Sequence, residues 1–323
     1  MQKHRSVKKF LIALAVLLVL TVAGLVLVGN FFYNFALNPN SPITFGSAEP
    51  MQPPGTGKPG LPNPYVTADP RGWIAENTAD RFLESRDGLR LHAYCASLSQ
   101  SHKYVVICHG YMSQARLMGA PASHFYGLGY NVLLPDARGH GQSEGDYIGM
   151  GWHERLDILD WISTLVAADP EAQIVLYGIS MGAATVMMVS GEELLPANVS
   201  CVVEDCGYTS AWDEFAEQLN ALYKLPAFPI LNVTSLVTKV RAGYFFGEAS
   251  AVAQVAKSHT PTLFIHGDAD TFVPFRMLDE VYRAAACEKE KLVVPGAKHA
   301  AASSTNPTLY WTAVDAFLEK HAK

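Results

Sequence analysis

The chain has 323 residues, 49% of them hydrophobic and 17% charged, which suffices to bury a substantial core and fits one large α/β domain. Its net charge of −6 includes four basic residues near the N-terminus, Lys3, Arg5, Lys8 and Lys9, with no acid among the first thirty residues, so the remainder is more acidic still. That balance argues against nucleic acid and anionic surfaces as partners of the main body.

The run Phe10 to Val28, FLIALAVLLVLTVAGLVLV, carries no charge. As a helix it spans about 28 Å, enough to cross a bilayer. Basic residues directly before it argue against a buried core helix. Its length exceeds the roughly 7 to 15 residues of a signal-peptide apolar region, and no A-x-A-like site follows before Asn38. Residues 1–37 are therefore expected to form an uncleaved single-pass anchor in the cell membrane. The basic cluster would keep the N-terminus in the cytoplasm and put the rest outside, with Phe31, Phe32 and Tyr33 at the outer interface. No cysteine precedes Cys95, which excludes a lipid-modified N-terminal cysteine. Residues 38–70, from Pro39 and Pro42 through Pro53, Pro54 and Pro64 to Pro70, are too rich in proline to pack a core and read as an extended linker.

From residue 71 to 323 the pattern changes to short apolar runs alternating with helical segments. Arg81 to Ala96 reads as a hairpin turning at Asp87-Gly88. Strands follow at Tyr104–Cys108 and Asn131–Leu134, then an amphipathic helix from about Trp152 to Ala168. The next strand, Ile174–Tyr177, runs into Gly178-Ile179-Ser180-Met181-Gly182 and a helix-compatible segment to Val189. Further strands are expected at Cys201–Glu204, Thr262–His266 and Lys291–Val294, with a final helix from Pro307 to His321. Buried strands alternating with helices predict a mostly parallel sheet covered on both faces, with ligands at the carboxyl ends of the strands. Five cysteines, Cys95, Cys108, Cys201, Cys206 and Cys287, leave an odd count. Cys201 and Cys206 share one predicted strand, about 16 Å apart and beyond the roughly 7 Å reach of a disulfide, so buried free thiols are expected. No spacing suggests a metal or organic cofactor.

A serine hydroxyl becomes a nucleophile at neutral pH only with exposure at a tight turn, a base in hydrogen-bond reach and donors for the oxyanion. The G-x-S-x-G around Ser180, between strand and helix, answers the first need. Four other motifs fall at strand ends in the same order: His109-Gly110-Tyr111, Asp136 to Ser143, His266 to Pro274, and Gly296-Ala297-Lys298-His299. With these five motifs, the chain from about Arg81 onward resembles an α/β hydrolase. More narrowly it is similar to membrane-anchored bacterial hydrolases grouped with serine aminopeptidase-like and acylglycerol-lipase-like proteins. The resemblance implies a triad of Ser180, Asp270 and His299, with His299 as general base and Asp270 holding its tautomer. It also implies an oxyanion hole from the backbone N–H groups of Tyr111 and Met181. Asp205 is the main rival for the acid, whereas Asp268 and Asp136 suit turn and loop formation. His109, Gly110, Arg138 and His140 read as loop architecture.

More than fifty residues separate the Cys201 and Thr262 strands, too many for one crossover helix. Residues 207–258 are expected to form a small helical cap. Trp212, Phe215, Leu219, Leu222, Tyr223 and Phe228 would supply its apolar underside. The expected function is a serine hydrolase acting on small acyl esters. A peptidase on short peptides is the alternative, needing an acid such as Glu204, Asp205 or Glu214 near the site, and a silent binding protein of the same fold is a third reading.

Overall fold

The computed structural model describes residues 2–41 and 65–322, so most of the proline-rich linker expected at 38–70 lies outside the described residues. Helix α1 (Gln2–Leu37) comes first and α2 (Pro70–Asn77) resumes the chain, capped by Asp69, whose carboxylate accepts from the Gly72 N–H. Strands β1 (Ala79–Glu84) and β2 (Arg90–Ala96) form the expected hairpin, with Gly88 in the left-handed region at φ 84°. Then follow β3 (Lys103–Cys108), a 3₁₀ turn (Ala115–Leu117), α3 (Gly119–Gly127), β4 (Asn131–Pro135) and α4 (Glu154–Ala168). The centre is β5 (Gln173–Ile179) with α5 (Met181–Ser190), next to β6 (Val199–Asp205). Three helices, α6 (Ala211–Tyr223), α7 (Ala227–Ala242) and α8 (Ala251–Val255), lead to β7 (Thr262–Gly267), α9 (Arg276–Ala284), β8 (Lys289–Val294), α10 (Ala302–Thr305) and α11 (Pro307–His321).

Among the described residues, eight strands make one sheet in the order β1-β2-β4-β3-β5-β6-β7-β8. The pairs β1–β2 and β2–β4 are antiparallel and the rest parallel, so the edge hairpin extends a parallel core. Period-two alternation splits each central strand between two cores. Val105, Ile107, Val175 and Tyr177 pack towards Phe125 and Trp311, whereas Val106, Leu176 and Val202 pack towards Ile158, Ile162 and Val186. Burial on both faces explains why these strands are unbroken apolar runs. All five cysteines are free, and Cys206 falls just past the end of β6.

Two expectations need correction. The last turns of α1 are packed on the globular domain, so the aromatic rings expected at an outer interface are mostly turned into the protein. Tyr33 is buried with the Arg241 guanidinium 3.9 Å from its ring centre, and Phe32 and Phe35 meet Tyr223 edge-on, leaving Phe31 as the exposed ring of the group. Likewise, α6 buries Phe215 and Leu219, but Leu222, Tyr223 and Phe228 are exposed. The helix projects past the domain edge before Lys224, in the left-handed conformation, ends it.

Candidate active site

Ser180 sits where β5 turns into α5, at φ 57° and ψ −119°, a backbone state costly for a residue with a side chain. The turn persists because its surroundings fix it: the Ser180 N–H donates to Asp205 O at 2.8 Å, and its carbonyl accepts from the Ala184 N–H at 2.9 Å. The flanking glycines are required by space. A Cβ at Gly178 would lie 2.2 Å from Gly182 O, and one at Gly182 would lie 2.1 Å from Cys108 O. Strand, helix and the neighbouring loop are thus in backbone contact around the serine.

His299, in the loop after β8, is 2.9 Å from Ser180 Oγ through Nε2 and 2.7 Å from Asp270 Oδ2 through Nδ1. A carboxylate only accepts, so Nδ1 carries the proton and Nε2 is left to accept from the serine hydroxyl. Asp270, in the loop after β7, is buried. Its Oδ1 accepts from the N–H groups of Phe272 and Val273 at 2.9 and 3.0 Å. Burial alone would raise its pKa, but hydrogen bonds from His266 and His299 outweigh it and hold the carboxyl at about 2.

His266 is the residue that sequence reasoning left without a role. Fully buried at the end of β7, it directs Nε2 to Val273 O at 3.0 Å and to Asp270 Oδ2 at 3.2 Å. Burial opposes its charge, yet the bond to Asp270 raises its pKa overall. The signal was present as a histidine four residues before the acid. Asp205, the rival acid, is brought close but is not bonded to His299; burial pushes its pKa up to about 6 and one carboxylate oxygen has no partner among the described residues.

The loop after β3 abuts the serine, since a Cβ at Gly110 would be 3.4 Å from Ser180 Cβ and 3.8 Å from its Oγ. Tyr111 follows in that loop. Met181 opens α5, where the first N–H groups have no intrahelical acceptor. His109 and His140 are satisfied within the loops. His109 Nδ1 donates to Gly110 O and Nε2 accepts from the Ala137 N–H, while His140 bonds Arg138 O and the Met112 N–H. Burial drives the His140 pKa down to about 3, so both rings are neutral architecture rather than proton carriers. Arg138 is buried between Asp157 and Asp87, Asp136 gathers the N–H groups of Ala115 and Gln142, and Asp268 accepts from Gly296 N. Cys206 Sγ lies within 4.8 Å of the ligand atoms of Asp270 and His299, but burial raises its thiol pKa well above the ordinary value, which makes it a poor metal ligand.

Ser180 opens on a small cavity of about 20 Å³ walled by Tyr111, Tyr208, Phe215 and Phe272, with Glu214 and Gln218 from α6. Glu214 Oε1 accepts from Gln218 Nε2 at 2.9 Å and Oε2 has no partner among the described residues. Burial pushes this carboxyl up to about 8. Glu204 is also raised to about 8, but it turns back to the Gly207 N–H and does not line this cavity. A second small cavity, under Cys108, His109 and Trp161, contains none of Ser180, His299 and Asp270.

A family profile described as "Serine aminopeptidase, S33" matches residues 99–205. The chain is 29% identical over 239 residues to the uncharacterized protein YqkD of Bacillus subtilis, covering 73% of this chain and 78% of that protein. It is 27% identical over 223 residues to the uncharacterized protein Rv2307c of Mycobacterium tuberculosis, covering 68% and 72%. Among solved structures it superposes on the Pyrococcus furiosus esterase Pf2001 with a TM-score of 0.62 and 25% identity, over 81% of this chain and 99% of that one. Sheet order, elbow geometry and these likenesses define the α/β-hydrolase fold. Within that class the chain resembles the S33 serine aminopeptidase-like group over the segment from before β3 to the end of β6.

Proposed function

We propose that the protein is a serine hydrolase that cleaves carboxylic esters through an acyl-enzyme. The observation that carries this reading is the unbroken chain of hydrogen bonds Ser180–His299–Asp270 at the mouth of the cavity. Ser180 Oγ attacks the ester carbonyl as His299 Nε2 takes its proton, and Asp270 stabilises the imidazolium without being protonated. The backbone N–H groups of Tyr111 and Met181 are assigned to the oxyanion, where loss of one donor typically costs about 10²- to 10³-fold in rate. His299 then returns the proton to the leaving alcohol, and water attacks the acyl-serine by the same route in reverse. The apolar cavity walls suit an acyl chain.

A peptidase is the second reading, and one observation bears on it. Of the three acids that might hold a substrate amine, Glu214 lines the nucleophile's cavity. At pH 7 its raised pKa leaves it mostly a neutral acid, which suits an uncharged acyl group better than an ammonium.

Residues 1–37 are assigned as a single-pass anchor, N-terminus in the cytoplasm, supported by a helix whose apolar stretch Val7–Leu37 is long enough to span a bilayer. Residues 71–323 would be the extracytoplasmic hydrolase domain, with 207–258 as its cap. The test is fluorophosphonate labelling of the detergent-solubilised full chain beside Ser180→Ala, then p-nitrophenyl esters against aminoacyl amides. Labelling lost in the variant and faster ester turnover are expected. Faster amide turnover would establish the peptidase, and no labelling of folded protein would overturn the enzyme reading.

A further inference from the structure

Helix α7 lies along the end of α1. A Cβ at Gly29 would sit 2.8 Å from Val233 Cγ1 and 2.9 Å from Val237 Cγ2, and Arg241 Nη1 donates to Asn34 Oδ1 at 3.0 Å and Asn30 Oδ1 at 3.3 Å. Numbers rise together on the two helices, so they run in the same direction. The start of α7 therefore points back along α1 towards its apolar run. The regular turns of α7 start at Pro229, because Phe228 is non-helical at φ −87° and ψ 134°, and Pro229 precedes Val233 by four residues, about 6 Å of helix. That brings the start of α7 level with the last turns of the uncharged run Phe10–Val28, while Tyr223, closing α6, lies against Phe32 and Phe35.

The tip is apolar apart from the exposed Lys224, and it is uncovered. Phe228 is 74% exposed, with Leu222 and Leu225 exposed beside it, and one flank of α7 presents Leu236 and Val240, the latter 80% exposed. Exposed large apolar residues elsewhere on the domain, such as Phe82, Leu128 and Leu194, lie on separate elements, whereas these share two adjoining helices, and such a patch marks a contact surface. It continues the surface of α1, which is exposed from Val7 to Gly24. The same cap reaches the nucleophile: α6 sends Glu214, Phe215 and Gln218 into the Ser180 cavity from its first half and carries Leu222 near its other end. At about 20 Å³ that cavity holds little more than one water, so substrate must displace the cap. The anchor also touches the site's loops, with Tyr111 Oη donating to Ala36 O and the Ile148 N–H to Leu37 O, both at 2.8 Å.

We propose that the α6–α7 tip and the Leu236–Val240 flank are seated in the lipid bilayer that α1 spans, and that substrate reaches Ser180 from the lipid beneath the cap. The substrate class is then a long-chain acyl ester dissolved in the membrane. This rests on the anchor and ester readings above.

The experiment uses the full chain in phosphatidylethanolamine/phosphatidylglycerol nanodiscs, spin-labelled at Phe228→Cys or Val240→Cys. Leu17→Cys in the span and Leu194→Cys, in the loop ahead of the amino end of β6, are references, and the unsubstituted chain gives the background from native thiols. Positions 228 and 240 are expected to collide with oxygen in preference to a water-soluble nickel chelate, as Leu17→Cys does, while Leu194→Cys shows the reverse. If 228 and 240 follow position 194 while 17 remains in lipid, the cap inference is overturned and the anchor reading stands. If position 17 is also open to nickel, both fall. In parallel, Phe228→Ser/Val240→Ser is expected to lower turnover of a nanodisc-borne long-chain monoacyl ester about tenfold while leaving p-nitrophenyl acetate turnover intact. Equal loss on both esters would overturn the access route. A wild type active on neither, with 228 and 240 in lipid, would overturn the ester substrate alone.

Discussion

Asp270 carries more hydrogen bonds than orienting one histidine requires. Two backbone N–H groups hold Oδ1, and His299 and His266 both converge on Oδ2. Four donors leave the carboxylate ionised and immobile, which fixes the His299 tautomer that can accept from Ser180. Asp270→Asn replaces an acceptor with an amide of similar shape but cannot keep all four bonds. A fall in kcat of about 10⁴ is expected on a p-nitrophenyl ester, with the fold retained by circular dichroism. A loss of only a few-fold would return Asp205 to contention. The placing of Ser180, its flanking glycines and His299 at strand ends was legible in the sequence because each is tied to a local motif. His266 was not, since its role comes from a loop that folds back so that Val273 and Asp270 meet one ring nitrogen.

At the scale of elements, the loop after β4 is held by a buried ion pair rather than by regular structure. Arg138 is 3% exposed and makes a two-bond contact with Asp157 on α4, at 2.8 Å from Nε and 2.6 Å from Nη2, as well as a bond to Asp87 in the β1–β2 turn. One side chain thus joins the edge hairpin, the loop and α4. Arg138→Met would leave Asp157 buried without its partner, and a loss of about 3–5 kcal/mol is expected from urea unfolding of the solubilised chain. A change below about 1 kcal/mol would mean that water replaces the guanidinium. That several helices fill the stretch between β6 and β7 was legible from its length. Which side of it faces inward was not, because a pattern of apolar positions does not say where a helix overhangs its domain. Leu222 and Phe228 were expected inside and are outside for that reason.

Over the whole molecule, buried carboxyls oppose each other in their dependence on pH. Glu204 is fully buried, and burial lifts its pKa from an ordinary 4.5 to about 8. Between those values the folded chain keeps a proton that the unfolded chain has released, so this residue's contribution to stability falls as pH rises from about 4.5 to about 8. Asp270 works in the other direction: its contribution is complete above 3.8 and is lost as pH falls towards about 2. Glu204→Gln keeps an oxygen for the Gly207 N–H and cannot ionise. Its urea midpoint is expected to gain on the wild type progressively from pH 5 to pH 8. Parallel curves would show that Glu204 ionises normally in the folded chain.

The sequence by itself determined the class of fold, the elbow and the apolar helix, because strand alternation, glycine spacing around Ser180 and the uncharged run Phe10–Val28 are local properties of the chain. Only the tertiary structure decided that Asp270 rather than Asp205 is bonded to His299, and that Glu214 rather than Glu204 faces the Ser180 cavity. It also put both ends of the proline-rich stretch against the domain. Pro39 packs by Gly139, and the Tyr65 carbonyl accepts from His124. The close of α1 is therefore part of the domain rather than a tether to it. Such relations depend on which residues distant in the chain become neighbours, and no local pattern encodes that.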